Sequence, residues 1–461
     1  MITTDYLVIA MFAAFIGFML TGYPIALCLS GTAILFTAVG YLSDLYLGTA
    51  TGVDFNYFGI AVTRIFNTMS NWVLVSLPMF IYMGLMLDRS GMAEKLMMSS
   101  QELFGKVRGG LAVTVTLIGV VMAASTGIVG ASVVLLGLLT VPAMLNQGYN
   151  KRMAVGTVAA AGTLGILIPP SIMLVVMGDQ VGVSVGDLFT GAFIPGIILA
   201  PLYTMYILTV SYLKPEVAPL AKGRRPVSWK VLGDVIKSIL PPAVLILSVL
   251  GSIFMGIATV TEASGVGALV ATLLAYVNRK LNLKVLKDVL TITFNTNAYI
   301  FGILIGATCF ALVLRGLGGD EFIARILKGL PFGPYGILFF IVFCVFLLDF
   351  FLDWIEICFI ILPLIAPVVA DLDFVVEGYG VVNEPKMVWF LLVLAVTLQT
   401  SFLTPPVGFS LFYLKGIVPK EVTLADIYVG IIPLSLLQLI GVIVIAVWPS
   451  LVTWLPAMVY R

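Results

Sequence analysis

Gly165-Ile-Leu-Ile-Pro-Pro170 and Ser401-Phe-Leu-Thr-Pro-Pro406 hold corresponding places in two halves of one chain, at an offset of 236 residues. Downstream, Asp187-Leu-Phe-Thr-Gly191 with Pro195 answers Asp426-Ile-Tyr-Val-Gly430 with Pro433. Proline lacks an N–H and disfavours helix in the residue before it, so 165–170 and 401–406 interrupt helices and expose carbonyls. Those carbonyls suit a cation. Half-helices restarting at Ser171 and Val407 present N–H groups and a positive dipole end, which suit a carboxylate. A single Pro-Pro pair more often marks a kink or a loop. Two in corresponding places are hard to attribute to packing.

The surroundings of these breaks are lipid. Of 461 residues 61% are hydrophobic and 10% charged, with mean hydropathy +1.15, where soluble domains carry about 25% charged residues. Only helices or closed barrels satisfy their backbone in a bilayer, and runs such as 239–256 lack the alternation of barrel strands. The chain is therefore an all-α polytopic membrane protein. A net charge of +1 offers no basic field for nucleic acid. Cys28, Cys309, Cys344 and Cys358 have no metal-ligand spacing, and histidine is absent. Without histidine, proton coupling needs a shifted carboxylate, which favours sodium as coupling ion. The first apolar segment follows Asp5, without a basic n-region or cleavage site, and reads as a retained span.

Spans of roughly 20 apolar residues are expected near 5–21, 24–42, 72–88, 153–182 (interrupted), 187–212, 239–257, 260–277, 291–315, 387–417 (interrupted) and 427–449, about ten in all. Segments 43–70 and 92–108 read as interfacial or loop, with Trp72 at a headgroup boundary. With the N-terminus outside, the cytoplasmic loops 89–110, 146–152, 213–238, 278–290 and 415–424 hold eighteen of the 24 basic residues. The positive-inside rule supports that topology, and it puts the acidic stretch 371–386 outside.

Two apolar segments cannot span. Segment 111–145 lies between Lys106/Arg108 and Lys151/Arg152 and is divided at Ala124-Ser-Thr-Gly-Ile-Val-Gly-Ala-Ser132. Its arms reach about 20 Å, short of the roughly 30 Å of hydrocarbon. It should enter and leave by one face, as a re-entrant hairpin. Segment 335–370 repeats this from the opposite side, turning at Asp349-Phe-Phe-Leu-Asp-Trp354. Asp349, Asp353 and Glu356 facing lipid would together cost roughly 8–10 kcal/mol, so they face protein, water or ion. A shallow tip with snorkelling acids is the competing reading for Asp349 and Glu356. Asp353 lies nearest the tip.

The order hairpin then broken helix thus occurs twice in opposite orientations: residues 1–212 form a first inverted repeat, 213–238 a basic linker, and 239–461 a second. Such repeats, meeting near the midplane, organise secondary transporters rather than enzymes. Ser125, Thr126, Gly127, Gly130 and Ser132 add hydroxyls and close backbone approach at the first tip; tight helix packing is the alternative role of such small residues. With Ser171, Pro170 and Pro406 beside the breaks, Ser125, Thr126 and Gly130 form the candidate substrate site. Glu262 reads as a helix N-terminal cap, and Arg315 as lying at an outer helix end.

The tip 124–132, Gly162-Thr-Leu-Gly-Ile-Leu-Ile-Pro-Pro-Ser171, Thr259-Val-Thr-Glu-Ala263 and Ser401-Phe-Leu-Thr-Pro-Pro-Val-Gly408 together resemble the large membrane subunit of tripartite ATP-independent periplasmic (TRAP) transporters. The resemblance covers nearly the whole chain. It implies an elevator-type, sodium-driven importer in the bacterial inner membrane. Its partners would be a small four-helix membrane subunit and a periplasmic substrate-binding protein, and its substrate a small organic acid. Carried over by position, it assigns sodium ligands to Ser125, Ser132, Gly162, Thr163 and Gly165, and to Asp353, Thr400, Ser401 and Thr404, with no organic cofactor. Val260 departs from a proline frequent in the family before Thr-Glu-Ala. A stand-alone sodium/dicarboxylate symporter is the alternative from the residues alone, and a channel a third. No GxxxxGK[ST] loop supports a primary pump.

Overall fold

A computed structural model describes residues 2–104, 107–126, 129–220, 229–405 and 408–459, and every regular element among them is helical. Six helices are individually long and apolar enough to cross a membrane: Ile25–Leu47, Val185–Leu213, Val231–Phe254, Val260–Val277, Leu283–Gly316 and Leu424–Val447. Phe55–Met69 and Val73–Arg89 pass that test only when taken together. Other expected spans come as shorter apolar pieces, including Thr4–Leu20 and one half of each interrupted helix, Ile172–Val181 and Pro385–Ser401.

Two boundaries correct the sequence reading. Helix Trp229–Phe254 begins inside the stretch expected to be linker, and Leu283–Gly316 begins before 291. Both open with charged residues interspersed among apolar ones, Lys230, Asp234 and Lys237 in the first and Lys284, Lys287 and Asp288 in the second, which lowers the windowed hydropathy at an amphipathic helix end. Segment 43–70 contains the amphipathic helix Phe55–Met69, capped by Asp54 accepting from Tyr57 N at 2.7 Å. Helix Met92–Phe104 occupies the second expected interfacial segment.

The chain packs as two compact units, Met1–Trp72 with Phe294–Leu348 and Leu352–Phe374, and Val73–Thr293 with Asp349–Phe351 and Val375–Arg461. Each draws on both halves of the sequence, so the repeats are not the packing units.

In the first unit, Phe12 and Phe15 pack on Phe310 at centroid distances of 5.8 and 5.4 Å. Asp44 holds the following loop, accepting from Thr49 Oγ1 (2.6 Å), Thr51 N (2.7 Å), Thr51 Oγ1 (2.9 Å) and Gly52 N (2.8 Å). Tyr57 Oη donates to Leu312 O at 3.2 Å. Arg315, as expected, ends a helix, and it pairs with Asp320 at 3.1 Å. The helices Pro334–Leu348 and Leu362–Ala370 belong to a hairpin whose ends meet: Tyr335 sits edge-on to Phe374 with centroids 5.2 Å apart.

The second unit holds the other hairpin and both Pro-Pro breaks. Its relevant helices are α1 (Gly110–Thr126), α2 (Val129–Asn146), α3 (Lys151–Thr163), α4 (Ile172–Val181), α5 (Val185–Leu213), α6 (Pro385–Ser401), α7 (Phe409–Ile417) and α8 (Leu424–Val447). Hairpin α1/α2 closes on itself, because Leu111 N at its entry donates to Tyr149 Oη just past its exit, at 3.2 Å. The five basic loops share one face. Lys95 Nζ donates to Asn278 Oδ1 (2.8 Å), Ser99 and Ser238 hydroxyls bond at 2.9 Å, Asn150 N donates to Val217 O (2.8 Å), and Lys151 Nζ donates to Glu421 O (2.7 Å). Lys106, Lys222, Arg224 and Arg225 lie outside the described residues.

The repeated Asp-x-x-x-Gly motif has a local cause. Ser184 caps α5 by accepting from Asp187 N at 3.3 Å, and Thr423 and Asp426 form a reciprocal capping box at the start of α8. The motif's glycine then allows close helix crossing. A Cβ on Gly430 of α8 would collide with the Arg152 carbonyl of α3, and one on Gly156 of α3 with the Gly430 carbonyl. In the other half, a Cβ on Gly191 of α5 would meet Leu392 of α6 at 2.9 Å. At the repeat offset Leu392 corresponds to Gly156, so each half's broken helix crosses the other half's capped helix at the matching point. Helices α5 and α8 run antiparallel, with Leu199 against Gly441 and Tyr203 against Gln438. Glu262 is a cap as expected: Thr259 N donates to its carboxylate at 2.8 Å.

Candidate functional site

Both interruptions fall where the prolines predict. Helix α3 stops at Thr163, a short 3-10 turn runs from Leu164 to Ile166, and α4 restarts at Ile172 behind Ser171. Helix α6 stops at Ser401 and α7 restarts at Phe409. Pro406 and Val407, the latter expected to begin the second half-helix, lie outside the described residues.

Each break is clasped by a serine. Ser171 Oγ donates to Ile166 O and accepts from Leu174 N at 3.4 Å, so this hydroxyl caps α4 and ties it to the preceding turn. Ser410 Oγ donates to Phe402 O at 2.6 Å, and Ser410 N shares the same acceptor at 3.3 Å. Ile166 and Phe402 correspond at the repeat offset. The two clasps therefore occupy one carbonyl in each break and leave those of Leu167, Ile168 and Pro169, and of Leu403 and Pro405, outside the clasp. Ser410 was not singled out from sequence. A hydroxyl just past a Pro-Pro break, able to return to the vacated carbonyl, was the available signal.

The remaining hydroxyls at the breaks share one property. Thr163 Oγ1 donates to Ala160 O at 2.9 Å. Thr400 Oγ1, Ser401 Oγ and Thr404 Oγ1 donate to Val396 O, Leu398 O and Thr400 O, each at 2.8 Å. With the proton spent on the backbone, each oxygen faces its surroundings as an acceptor. Oxygen acceptors are the ligands of hard cations. Among the described residues no lysine or arginine is buried, so no fixed cation competes there.

The first hairpin packs onto this region. A Cβ on Gly162 would collide with Val133 of α2, so Gly162 admits the hairpin's second arm against α3. Gly130 lies under the Tyr413 ring of α7, where a Cβ would stand 3.1 Å from Cζ. Gly130, the buried Ser132, Gly162, Thr163 and Gly165 are thus drawn together, with Tyr413 as a neighbour that sequence reasoning had not placed there. Helix α6 also packs against the 164–166 turn and α4, so the two breaks adjoin. Backbone at 125 and 126 ends α1; the side chains of Ser125 and Thr126, and Gly127 altogether, lie outside the described residues.

Asp353 belongs to the other compact unit, where its carboxylate caps a single turn, Trp354–Glu356, by accepting from Trp354 N at 2.8 Å. Asp349 is buried. Glu356 is fully buried, and neither carboxylate oxygen has a hydrogen-bond partner among the described residues. A π-helical turn, Ile357–Ile361, follows at once, a distortion found often at functional sites.

An apolar, all-helical chain with two hairpins and two broken helices crossing reciprocally is a polytopic membrane transport protein. The chain belongs to the family described as Tripartite ATP-independent periplasmic transporter, DctM component, which it matches over residues 12–451. It is a TRAP large permease subunit and a multi-pass inner-membrane protein. It is 28% identical to the C4-dicarboxylate TRAP transporter large permease protein DctM of Vibrio cholerae, over 97% of both chains. It is 25% identical to the sialic acid large permease SiaM of the same species, over 96% of both, and 25% identical to the ectoine large permease TeaC of Halomonas elongata, over 98% of this chain and 99% of that one. These relatives are permeases, not enzymes. Among solved structures, the Alcanivorax borkumensis YdaH transporter shares the fold, with TM-score 0.53 at 15% identity over 84% of this chain and 88% of that one.

Proposed function

We propose that this chain is the substrate-translocating subunit of a sodium-coupled importer for small organic acids. It receives its substrate from a periplasmic binding protein and works beside a small membrane subunit. Hairpins α1/α2 and 335–370 are re-entrant, each entering and leaving the bilayer by one face, and the hairpin-bearing part moves as an elevator between access states. One observation carries the reading. At both breaks the hydroxyls of Thr163, Thr400, Ser401 and Thr404 have given their protons to the backbone, leaving acceptors in a region where no lysine or arginine is buried among the described residues. Sodium fits such a donor set, and a bound cation supplies the charge that an anionic substrate needs there. Carbonyls of 162–165 with Ser125 and Ser132 supply ligands at the first break and Thr400, Ser401 and Thr404 supply them at the second; Asp353 is a further sodium ligand within its own unit; Gly130, Pro170, Ser171 and Pro406 border the substrate.

Full-length names of relatives specify C4-dicarboxylate, sialic acid and ectoine, which sets the substrate range to try. Reconstituted with its membrane and binding-protein partners, the subunit should accumulate an organic acid only under an inward sodium gradient. Asp353→Asn, or Ser125→Ala with Thr126→Ala, should weaken sodium activation. Uptake indifferent to sodium would sink the coupling, and uptake by the subunit alone would sink the tripartite arrangement.

A further inference from the structure

Gln399 stands in the last turn of α6, directly before Thr400 and Ser401. It is 0% exposed, and neither Nε2 nor Oε1 has a hydrogen-bond partner among the described residues. A buried primary amide can donate twice and accept twice, and leaving all of that unused is costly unless something else supplies the partners. The hydroxyls beside it in sequence do not donate to it. Thr397, Thr400, Ser401 and Thr404 all direct their protons to backbone carbonyls of their own segment. At the repeat offset Gln399 corresponds to Thr163, whose hydroxyl is likewise committed to its helix. Where one half has a small hydroxyl, the other has a long amide with both ends open, at the end of the helix that packs against the first break.

A cation alone satisfies only Oε1, and an anion alone satisfies only the NH2. Both ends are satisfied together when the amide lies between the two. We propose that Gln399 bridges the coupling ion and the organic acid at the second break, its Oε1 ligating sodium and its Nε2 donating to a substrate carboxylate. This rests on the sodium-coupled reading above and adds a side chain through which occupancy of one ligand is felt by the other. A neutral donor suits a region where no lysine or arginine is buried among the described residues, because it holds the carboxylate without the charge that would expel sodium.

The test uses the full-length subunit with its small membrane partner. Sodium alone is titrated against thermal unfolding for the parent, Gln399→Leu and Gln399→Glu, with Gln399→Asn as substitute should the leucine variant fail to give a monodisperse protein. Leucine removes both polar ends and should weaken the sodium response at least tenfold, while raising the melting temperature in sodium-free buffer. Glutamate keeps an oxygen for sodium but loses the donor. It should retain the sodium response and raise KM at least tenfold for whichever of succinate, sialic acid or ectoine the parent takes up with its binding protein. A leucine variant with an unchanged sodium response overturns the ion contact, and a glutamate variant with unchanged KM overturns the substrate contact. If the parent itself shows no sodium response, the broader coupling reading fails instead, so the two failures are told apart.

Discussion

Ser410 Oγ donates to the carbonyl of Phe402 at 2.6 Å, across the break that separates α6 from α7. Ser171 closes onto Ile166 at the corresponding place in the other half. Two serines at different distances from their prolines thus satisfy equivalent carbonyls. The tertiary requirement is that a buried acceptor be paired, and the local chain finds different ways to meet it.

Ser410→Ala should cost about 1–2 kcal/mol, because the Phe402 carbonyl keeps only the longer bond from Ser410 N. Ser171→Ala should cost more, roughly 2–3 kcal/mol, since one hydroxyl is both a helix cap and a donor to Ile166. Thermal unfolding in detergent ranks the two, and the reverse order would refute the double role.

Gly430→Ala and Gly156→Ala should each destabilise by about 2–3 kcal/mol or more, since the new methyl group meets backbone that cannot rotate away. Gly191→Ala should be milder, because Leu392 Cδ1 at 2.9 Å can change rotamer, although the Val452 carbonyl stands at 3.0 Å. Gly191→Ala with Leu392→Ala should recover part of the loss. A double variant no better than the single one would show that the carbonyl, not the leucine, limits the crossing.

Asp44→Asn should loosen the 49–52 loop. The carboxylate accepts four bonds, two from backbone N–H groups, and an amide reproduces at most half of them. The expected loss is about 1.5–3 kcal/mol, seen as faster amide exchange confined to that loop. Uniformly faster exchange throughout the unit would argue for a wider role.

Tyr149→Phe removes the bond that closes the entry of α1 against the exit of α2. It should cost about 1 kcal/mol and raise exchange at Leu111, with no loss of the α1/α2 contact itself. If the whole hairpin opens, Tyr149 is a latch and not a local bond.

Much of this was legible beforehand because it is local chemistry. The Pro-Pro pairs had to break helices, and the structure interrupts α3 and α6 at Thr163 and Ser401. Thr259-Val-Thr-Glu262 had to cap, and basic residues had to gather on one side. Helix starts at Trp229 and Leu283, where charged residues alternate with apolar ones, were missed, because hydropathy marks where lipid begins and not where hydrogen bonding does.

Residues by themselves determined that the chain is an all-helical membrane protein, where its helices break, and which family motifs it carries, since each follows from properties of a few adjacent side chains. Only the tertiary structure decided that Gly430 admits α3 while Gly191 admits α6, that serines 171 and 410 close equivalent carbonyls, and that Gln399 is left with two open ends. Those depend on what arrives from distant sequence to meet each group. A buried polar atom carries no mark in the sequence of whether its partner will come.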